Sequence, residues 1–96
     1  MLIEIDGERC ELDWRGIAVL LALRWTRFRA LPLSMLRRVE ADPGRLASLI
    51  DDLASKGLVE RATVGRSVIV LLTERGERAA RALEEMARKA GILPTG

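Results

Sequence analysis

The sequence contains no histidine, which removes the commonest general base and the commonest nitrogen ligand of zinc. Its single cysteine, Cys10, excludes an internal disulfide and has no histidine to activate it as a nucleophile. We expect Cys10 to be a small residue within a strand, with an interchain disulfide as the alternative. Because the sequence also lacks a nucleotide-binding loop, the chain is predicted not to be an enzyme, and to need neither a cofactor nor a metal.

Aromatic residues are scarce too, at 3% of the chain, whereas hydrophobic residues make up 49%. Aliphatic side chains must therefore fill the core, which favours packed helices over an aromatic-rich β module. No apolar run approaches the ~20 residues that cross a bilayer, and the first residues lack the basic and apolar regions of a signal peptide. We expect a single domain over residues 1–96, cytoplasmic and nucleoid-associated, with no membrane partner.

Charge is unevenly distributed, although the net charge is only +2. Residues 1–13 carry five carboxylates and one arginine, a balance of −4, whereas residues 14–50 carry seven arginines and two carboxylates, a balance of +5. Guanidinium groups bind phosphates and guanine edges in a forked geometry. The basic middle of the chain therefore points to nucleic acid, with a general bias towards arginine as the alternative explanation.

Turn and capping signals define the first half of the chain. Asp6-Gly7 predicts a tight turn in an N-terminal β-hairpin over residues 1–13. Asp13 predicts the N-cap of a first helix from Trp14 to about Phe28. Because its apolar residues cover nearly the whole circumference, this helix should be buried on more than one side. Leu31-Pro32 then breaks the chain.

A short second helix is predicted over residues 33–40, followed by a four-residue turn. Asp42 predicts the N-cap of a third helix, and Pro43 suits its first position, where no N–H is needed. Gly57 is expected just past its end. The predicted buried stripe of this helix consists of Leu46, Leu49, Ile50 and Leu53.

Two strands are predicted next, over residues 58–64 and 67–72, joined by a turn at Gly65-Arg66. The second strand is apolar without alternation, so we expect both of its faces to be covered, by the N-terminal hairpin or by the first helix. These strands complete a winged unit over residues 14–72.

Thr73 predicts the N-cap of a last helix over residues 74–90, followed by a tail over residues 91–96. Small residues recur along one stripe of this helix, which would let a second helix approach closely. We therefore expect a homodimer, with packing of the stripe on its own domain as the alternative. The predicted dimer interface consists of Ala79, Leu83, Met86 and Ala90.

The order of helix, short helix, turn, helix, β-hairpin and helix is that of a winged helix-turn-helix, an α+β fold that is mainly α. In this architecture the third helix lies in the major groove of DNA, and the hairpin, or wing, contacts the flanking backbone. The sequence therefore predicts double-stranded DNA as the partner and regulation of transcription as the function. The alternative is a winged-helix module that binds proteins and makes no specific DNA contacts.

Two segments resemble one known family. Residues 46–61, which end in Lys-Gly-Leu-Val-Glu-Arg, look like the recognition helix and first wing strand of the MarR-type transcriptional regulators, and residues 65–76, with Leu-Thr-Glu-Arg-Gly, are similar to their wing exit. The sequence differs from the family pattern in its short wing, its acidic hairpin in place of a long dimerisation helix, and Asp52 where many relatives have a basic residue. The resemblance implies a small prokaryotic or archaeal winged-helix regulator and leaves a small-molecule effector open.

Each predicted site residue has a role in DNA binding and a plainer alternative as solvated surface. Arg45 and Ser48, on the polar side of the third helix, would contact base edges. The second helix and the wing tip would contact phosphates through arginine, and Arg61 would either do so or pair with Glu60 or Asp51. The predicted DNA-binding residues are Arg37, Arg38, Gly44, Arg45, Ser48, Arg61 and Arg66.

Asp51 and Asp52 form an adjacent pair of carboxylates, a pattern that also occurs in metal sites. Neighbouring positions of a helix diverge by ~100°, so the two side chains cannot converge on one ion. We expect both to be solvated or paired with arginine. Because Asp52 would repel phosphate, it argues against DNA binding unless it accepts from a cytosine amino group or holds Arg45 in place.

Overall fold

The computed structural model describes residues 1–92, so the last four residues of the predicted tail lie outside the described residues. The elements are β1 (Leu2–Ile5), β2 (Glu8–Glu11), α1 (Trp14–Arg24), β3 (Ala30–Pro32), a 3₁₀ helix (Leu33–Arg38), α2 (Pro43–Ser55), β4 (Val59–Val64), β5 (Ser67–Leu72) and α3 (Glu74–Lys89). The α+β class with a helical majority is confirmed. No helix within the described residues is long and apolar enough to span a membrane.

The predicted N-terminal hairpin is present, with β1 and β2 paired antiparallel. Its two-residue turn has positive φ at Asp6 (53°) and at Gly7 (80°), as a turn between right-twisted strands requires. Cys10 is a buried strand residue, as expected. The acidic hairpin is fastened to α3, because Arg78 donates two hydrogen bonds to the Asp6 carboxylate at 2.7 and 2.8 Å. This bonding holds the pKa of Asp6 below its ordinary value.

Helix α1 begins where predicted, since the Asp13 carboxylate accepts from the backbone N–H of Gly16 at 2.8 Å. It ends at Arg24 rather than near Phe28. The Thr26 hydroxyl donates to a carbonyl of the last helical turn, and the chain then turns through a positive φ of 57° at Arg29. The predicted extent was wrong, and Phe28 is 80% exposed instead of part of a buried helix.

The segment Leu31-Pro32, predicted only as a break, belongs to a third strand of the wing sheet. Strand β3 pairs antiparallel with β5, so the strand order is β3-β5-β4. Pro32 is tolerated there because β3 is an edge strand. Strand β5 is the central strand of this sheet and contacts α1, α3 and the 3₁₀ helix. These contacts explain why apolar and polar residues do not alternate along it.

The helix-turn-helix follows the predicted boundaries closely, although its short first helix is a 3₁₀ helix. Asp42 caps α2 by accepting from the N–H groups of Gly44 (2.8 Å) and Arg45 (3.1 Å). Past the other end, Gly57 has a φ of +74°, and the N–H of Leu58 bonds back to the carbonyl of Leu53 at 3.0 Å. This pair of caps fixes the length and direction of α2.

The core joins the inner faces of α1, α2 and α3 with the wing sheet and the N-terminal hairpin. Helix α3 packs mainly against α1. Its buried residues include Ala79 and Ala80, whose small side chains allow close packing. At its start, a Cβ on Gly76 would overlap the backbone carbonyl of Leu58. The glycine of the Leu-Thr-Glu-Arg-Gly motif is therefore required by the contact between α3 and the chain entering β4.

Candidate nucleic-acid interface

The exposed face of α2 carries the residues predicted to reach base edges. Arg45 and Ser48 are exposed, whereas Leu46 and Ile50 on the opposite face are buried in the core. Gly44 is also exposed, and its N–H is occupied by the Asp42 cap. The first turns of α2 thus present polar side chains outward from a rigid, capped helix, which is the arrangement that base contacts need.

A groove of about 340 Å³ runs between the 3₁₀ helix, the start of α2 and the wing. Arg37 of the 3₁₀ helix and Arg66 of the wing tip both line it, above a floor that includes Pro43 and Val68. Guanidinium groups on two sides of one concave surface suit a phosphate, which accepts hydrogen bonds from several directions. The structure therefore brings together two residues that are 29 positions apart in the sequence.

A second groove lies on the other side of α2. Arg45 and Ser48 line it from α2, and Arg15 lines it from the start of α1. Asp52 also borders this groove, but its carboxylate pairs with Lys56 Nζ at 2.8 Å rather than holding Arg45 in place. The ammonium group of Lys56 offsets the charge of Asp52 and so weakens the repulsion that this carboxylate would exert on a DNA phosphate.

Most of the predicted DNA-binding arginines have no carboxylate partner. Within residues 1–92 no ion pair involves Arg37, Arg38, Arg45 or Arg66, and all four are exposed. The ion pairs found within these residues involve other side chains. Arg61 is the exception, because it pairs with Asp51 across the base of the wing. The alternative predicted for Arg61 is thus the arrangement found.

Other arginines of the basic middle stretch are used in the protein's own packing. Arg24 bonds Glu77 and Glu84 on α3, and Arg29 bonds Glu77 at 3.1 Å. The Trp25 indole N–H donates to Glu84 at 3.1 Å, and with Arg24 it holds the pKa of this carboxyl below its ordinary value. Summing charge over residues 14–50 therefore overstates the positive charge that is free to meet a ligand.

Two of the four predicted interface residues on α3 are corrected by the structure. Ala79 is fully buried and Leu83 is 3% exposed, both inside the chain's own core. Side chains buried in the protein's own core are not available to a second subunit. Met86 and Ala90 are exposed, so a homodimer that uses the outer face of α3 stays a prediction.

Arg15 is the residue that the sequence analysis did not single out. It lies on α1, 30 positions before Arg45, and no local motif connects the two. Only the fold brings the start of α1 beside α2. The available signal was an arginine in the first turn of a helix that is otherwise apolar up to its last residue.

Comparison with known proteins points to one fold family. The C-terminal winged helix domain of DUF6293 proteins matches residues 38–84, just under half of the chain. No curated protein matches the sequence. Solved structures are similar at TM-scores of 0.66 and above, and several are named as MarR family transcriptional regulators.

Three of these structures illustrate the similarity. Sco5413 from Streptomyces coelicolor is 20% identical, with a TM-score of 0.74 over 84% of this chain and 58% of its own. AbsC from the same organism is 20% identical, with a TM-score of 0.75 over 86% and 63%. A cysteine-to-serine mutant of Escherichia coli MarR bound to operator DNA is 26% identical, with a TM-score of 0.70 over 83% and 59%.

The chain thus spans about three fifths of the length of these regulators. The family model covers α2, both strands of the wing hairpin and most of α3. The resemblance noted in the wing and its exit is confirmed at the level of the fold. The chain has a winged-helix fold, and several of the solved structures that share this fold are named as MarR family transcriptional regulators.

Proposed function

We propose that the protein binds double-stranded DNA and regulates transcription, with α2 in the major groove and the wing, β4 and β5, against the flanking backbone. One observation carries this proposal. Four exposed arginines that form no ion pair within the described residues, Arg37, Arg38, Arg45 and Arg66, lie around the helix-turn-helix and at the wing tip, whereas Arg24 and Arg29 at the other end of the molecule are paired. The similarity to Escherichia coli MarR, solved in complex with operator DNA, supports it.

Within this arrangement the side chains divide by what they contact. Arg45 and Ser48 would approach base edges, because the N-terminal part of a recognition helix lies deepest in the groove. Arg37, Arg38 and Arg66 would contact phosphates, which position the protein but carry no sequence information. Arg61 would contribute less, since its guanidinium already pairs with Asp51.

Titration of fluorescent duplexes at increasing salt tests the proposal. The logarithm of the binding constant should fall linearly with the logarithm of salt concentration between about 50 and 200 mM, with a slope of about −4 to −7 for a homodimer. A slope near zero, or no binding at low salt, would contradict DNA binding and favour the alternative function.

Two substitutions separate readout from positioning. Arg45→Ala should cost about 1–3 kcal/mol on the best site selected from a random library and less on unrelated duplexes. Arg66→Ala should weaken binding to all duplexes equally. Arg9→Ala is the matched control, because it removes the same charge from the exposed side of the N-terminal hairpin, and it should change neither property.

The alternative, a winged-helix module that binds proteins, is favoured by one feature. The turn after α1 exposes Trp25 (58%) and Phe28 (80%), in a chain that has only three aromatic residues. Exposed aromatic residues are frequent at protein interfaces. A mobility shift with random duplex at low salt, repeated with an acidic protein as competitor, distinguishes the two functions. Only duplex binding that persists in the presence of the competitor supports regulation through DNA.

A further inference from the structure

The start of α1 carries an arginine with an unusual environment. The Arg15 guanidinium carbon lies 5.2 Å from the centre of the Trp14 ring, and this ring is 65% exposed. Behind it, Arg15 Nε faces Glu40 Oε1 at 3.5 Å, and both of these buried atoms lack a hydrogen-bond partner within the described residues. The guanidinium is thus held between an exposed indole and a loosely bonded carboxylate.

The exposed part of this cluster is cationic. The Glu40 side chain is 11% exposed and that of Arg15 is 37% exposed, so the pair presents its guanidinium to the groove. The other carboxylates that line the groove are engaged, since Asp13 caps α1 and Asp52 pairs with Lys56. Arg15 is therefore available to an anion approaching from the groove.

The geometry of a helix in the major groove indicates where such an anion would lie. An α-helix with its side chains is about 10–12 Å wide, and the major groove is about 12 Å wide, so a helix lying in it has a sugar–phosphate backbone on each side. The groove that holds Arg37 and Arg66 borders α2 on one side. The groove that holds Arg15 borders it on the other, beside Arg45.

We propose that Arg15 binds a backbone phosphate on the side of α2 opposite the wing, with Trp14 and Glu40 positioning its guanidinium. This inference rests on the proposed DNA binding and extends the interface to α1. The protein would then hold both backbones that border α2, one through the wing and the 3₁₀ helix and one through α1. The orientation of α2 in the groove would be fixed from two sides.

The chain supplies a matched control at its other end. Arg27 lies 5.5 Å from the ring centre of its neighbour Phe28, which repeats the arrangement of Arg15 and Trp14. Strand β3 begins just after this turn, and Arg29 accepts from the N–H of Leu72, six residues beyond Arg66. The turn is thus about 20 Å from the wing tip along β5. Arg27 should therefore not contact DNA bound at α2.

Arg15→Ala should weaken binding to all duplexes several-fold and make the salt slope shallower by about 0.9 per protomer, the value for one lost phosphate contact. Arg27→Ala should leave both the affinity and the slope unchanged. Circular dichroism and thermal melting of the two variants show whether Arg15→Ala also disturbs the fold. Equal salt slopes for the wild type, Arg15→Ala and Arg27→Ala would overturn the proposal, even if Arg15→Ala lowers stability.

The two tryptophans provide a second measurement that needs no change at Arg15. In Trp25→Phe only Trp14 fluoresces, and duplex DNA should shift or quench its emission. In Trp14→Phe only Trp25 remains, and its emission should not respond. If duplex binds but Trp14 emission stays constant, this inference is wrong while DNA binding stands. If the wild type binds no duplex, DNA binding itself is wrong, and the inference is overturned with it.

Discussion

Arg24 and Arg29, near the contact of α1 with α3, are tied to carboxylates, whereas Arg37, Arg38, Arg45 and Arg66, around the helix-turn-helix and at the wing tip, form no ion pair within the described residues. Arg24 bridges Glu77 and Glu84, and the side chains of all three are at most 22% exposed. Arg37 and Arg66, by contrast, line an open groove and form no ion pair within the described residues. The same residue type thus serves the protein's own packing in one region and is free to meet a ligand in the other.

This difference shows what local charge can and cannot reveal. A positive charge balance over residues 14–50 indicates nucleic-acid binding only if these arginines are not paired with carboxylates. The fold decides which of them are paired. The partners of Arg24 and Arg29 lie about 50 residues further along, on α3. A charge count therefore becomes evidence for binding only after the paired residues have been removed from it.

The largest effect is expected from placing a charge on each face of α3. Leu83→Glu would bury a carboxylate without a partner between α1 and α3, which costs several kcal/mol and should unfold the domain. Met86→Glu places the same charge on a side chain that is 45% exposed and should leave the fold intact. Circular dichroism with urea titration measures both.

The same pair of variants tests the predicted homodimer. If a second subunit covers the outer face of α3, Met86→Glu should shift sedimentation from dimer to monomer while the protomer stays folded. A folded Leu83→Glu protein would show that the α1–α3 contact is not the core described above. A wild-type chain that sediments as a monomer at tens of micromolar would contradict the homodimer directly.

The helix-turn-helix was predicted well because residues at its boundaries determine where each helix begins and ends. Asp42, Pro43 and Gly57 each satisfy a backbone requirement within three or four residues, so their effect does not depend on the rest of the fold. The end of α1 and strand β3 were missed for the opposite reason. Strand β3 exists only because β5, about 40 residues later, offers it an edge.

The candidate site was predictable to the same extent. Arg45, Ser48 and Arg66 follow from their positions on a recognition helix and at a hairpin tip, which local signals define. Arg15 enters the groove, and Arg61 is taken up by Asp51, through contacts between distant elements. The faces of α3 were also undetermined, because a stripe of small residues suits its own core and a partner helix equally well.

A smaller effect is expected from exchanging one arginine of each kind. Arg24→Ala removes hydrogen bonds to two carboxylates and leaves Glu77 and Glu84 without this partner, which should lower the free energy of unfolding by about 1–3 kcal/mol. DNA affinity of the folded protein should not change. Arg37→Ala should do the reverse, with stability within about 0.5 kcal/mol of wild type and weaker duplex binding.

Urea unfolding and duplex titration on both variants give a two-by-two comparison. Arg24→Lys is a useful intermediate, since an ammonium group keeps the charge but lacks the fork that reaches both carboxylates. It should recover only part of the lost stability. If Arg24→Ala and Arg37→Ala lower the free energy of unfolding and the DNA affinity in the same proportion, the division between paired and free arginines has no functional meaning.

The smallest effect concerns acid, and it tests the paired region alone. Hydrogen bonds from Trp25 and Arg24 hold the pKa of Glu84 below the ordinary value of 4.5, so the folded state favours the ionised carboxylate. Its contribution to stability is therefore complete above the ordinary pKa and is lost as the pH falls through the lower, folded-state value. Glu84→Gln cannot ionise, so the difference in unfolding free energy between about pH 7 and about pH 3 should shrink relative to wild type.

Asp6, whose pKa is lowered by Arg78, keeps part of the acid sensitivity in this variant. Glu85→Gln is the control, because Glu85 is 52% exposed and pairs with Arg88 on the helix surface, and its acid profile should follow that of the wild type. If Glu84→Gln and Glu85→Gln lose stability in acid to the same degree, the bonds from Trp25 and Arg24 do not bias the ionisation of Glu84.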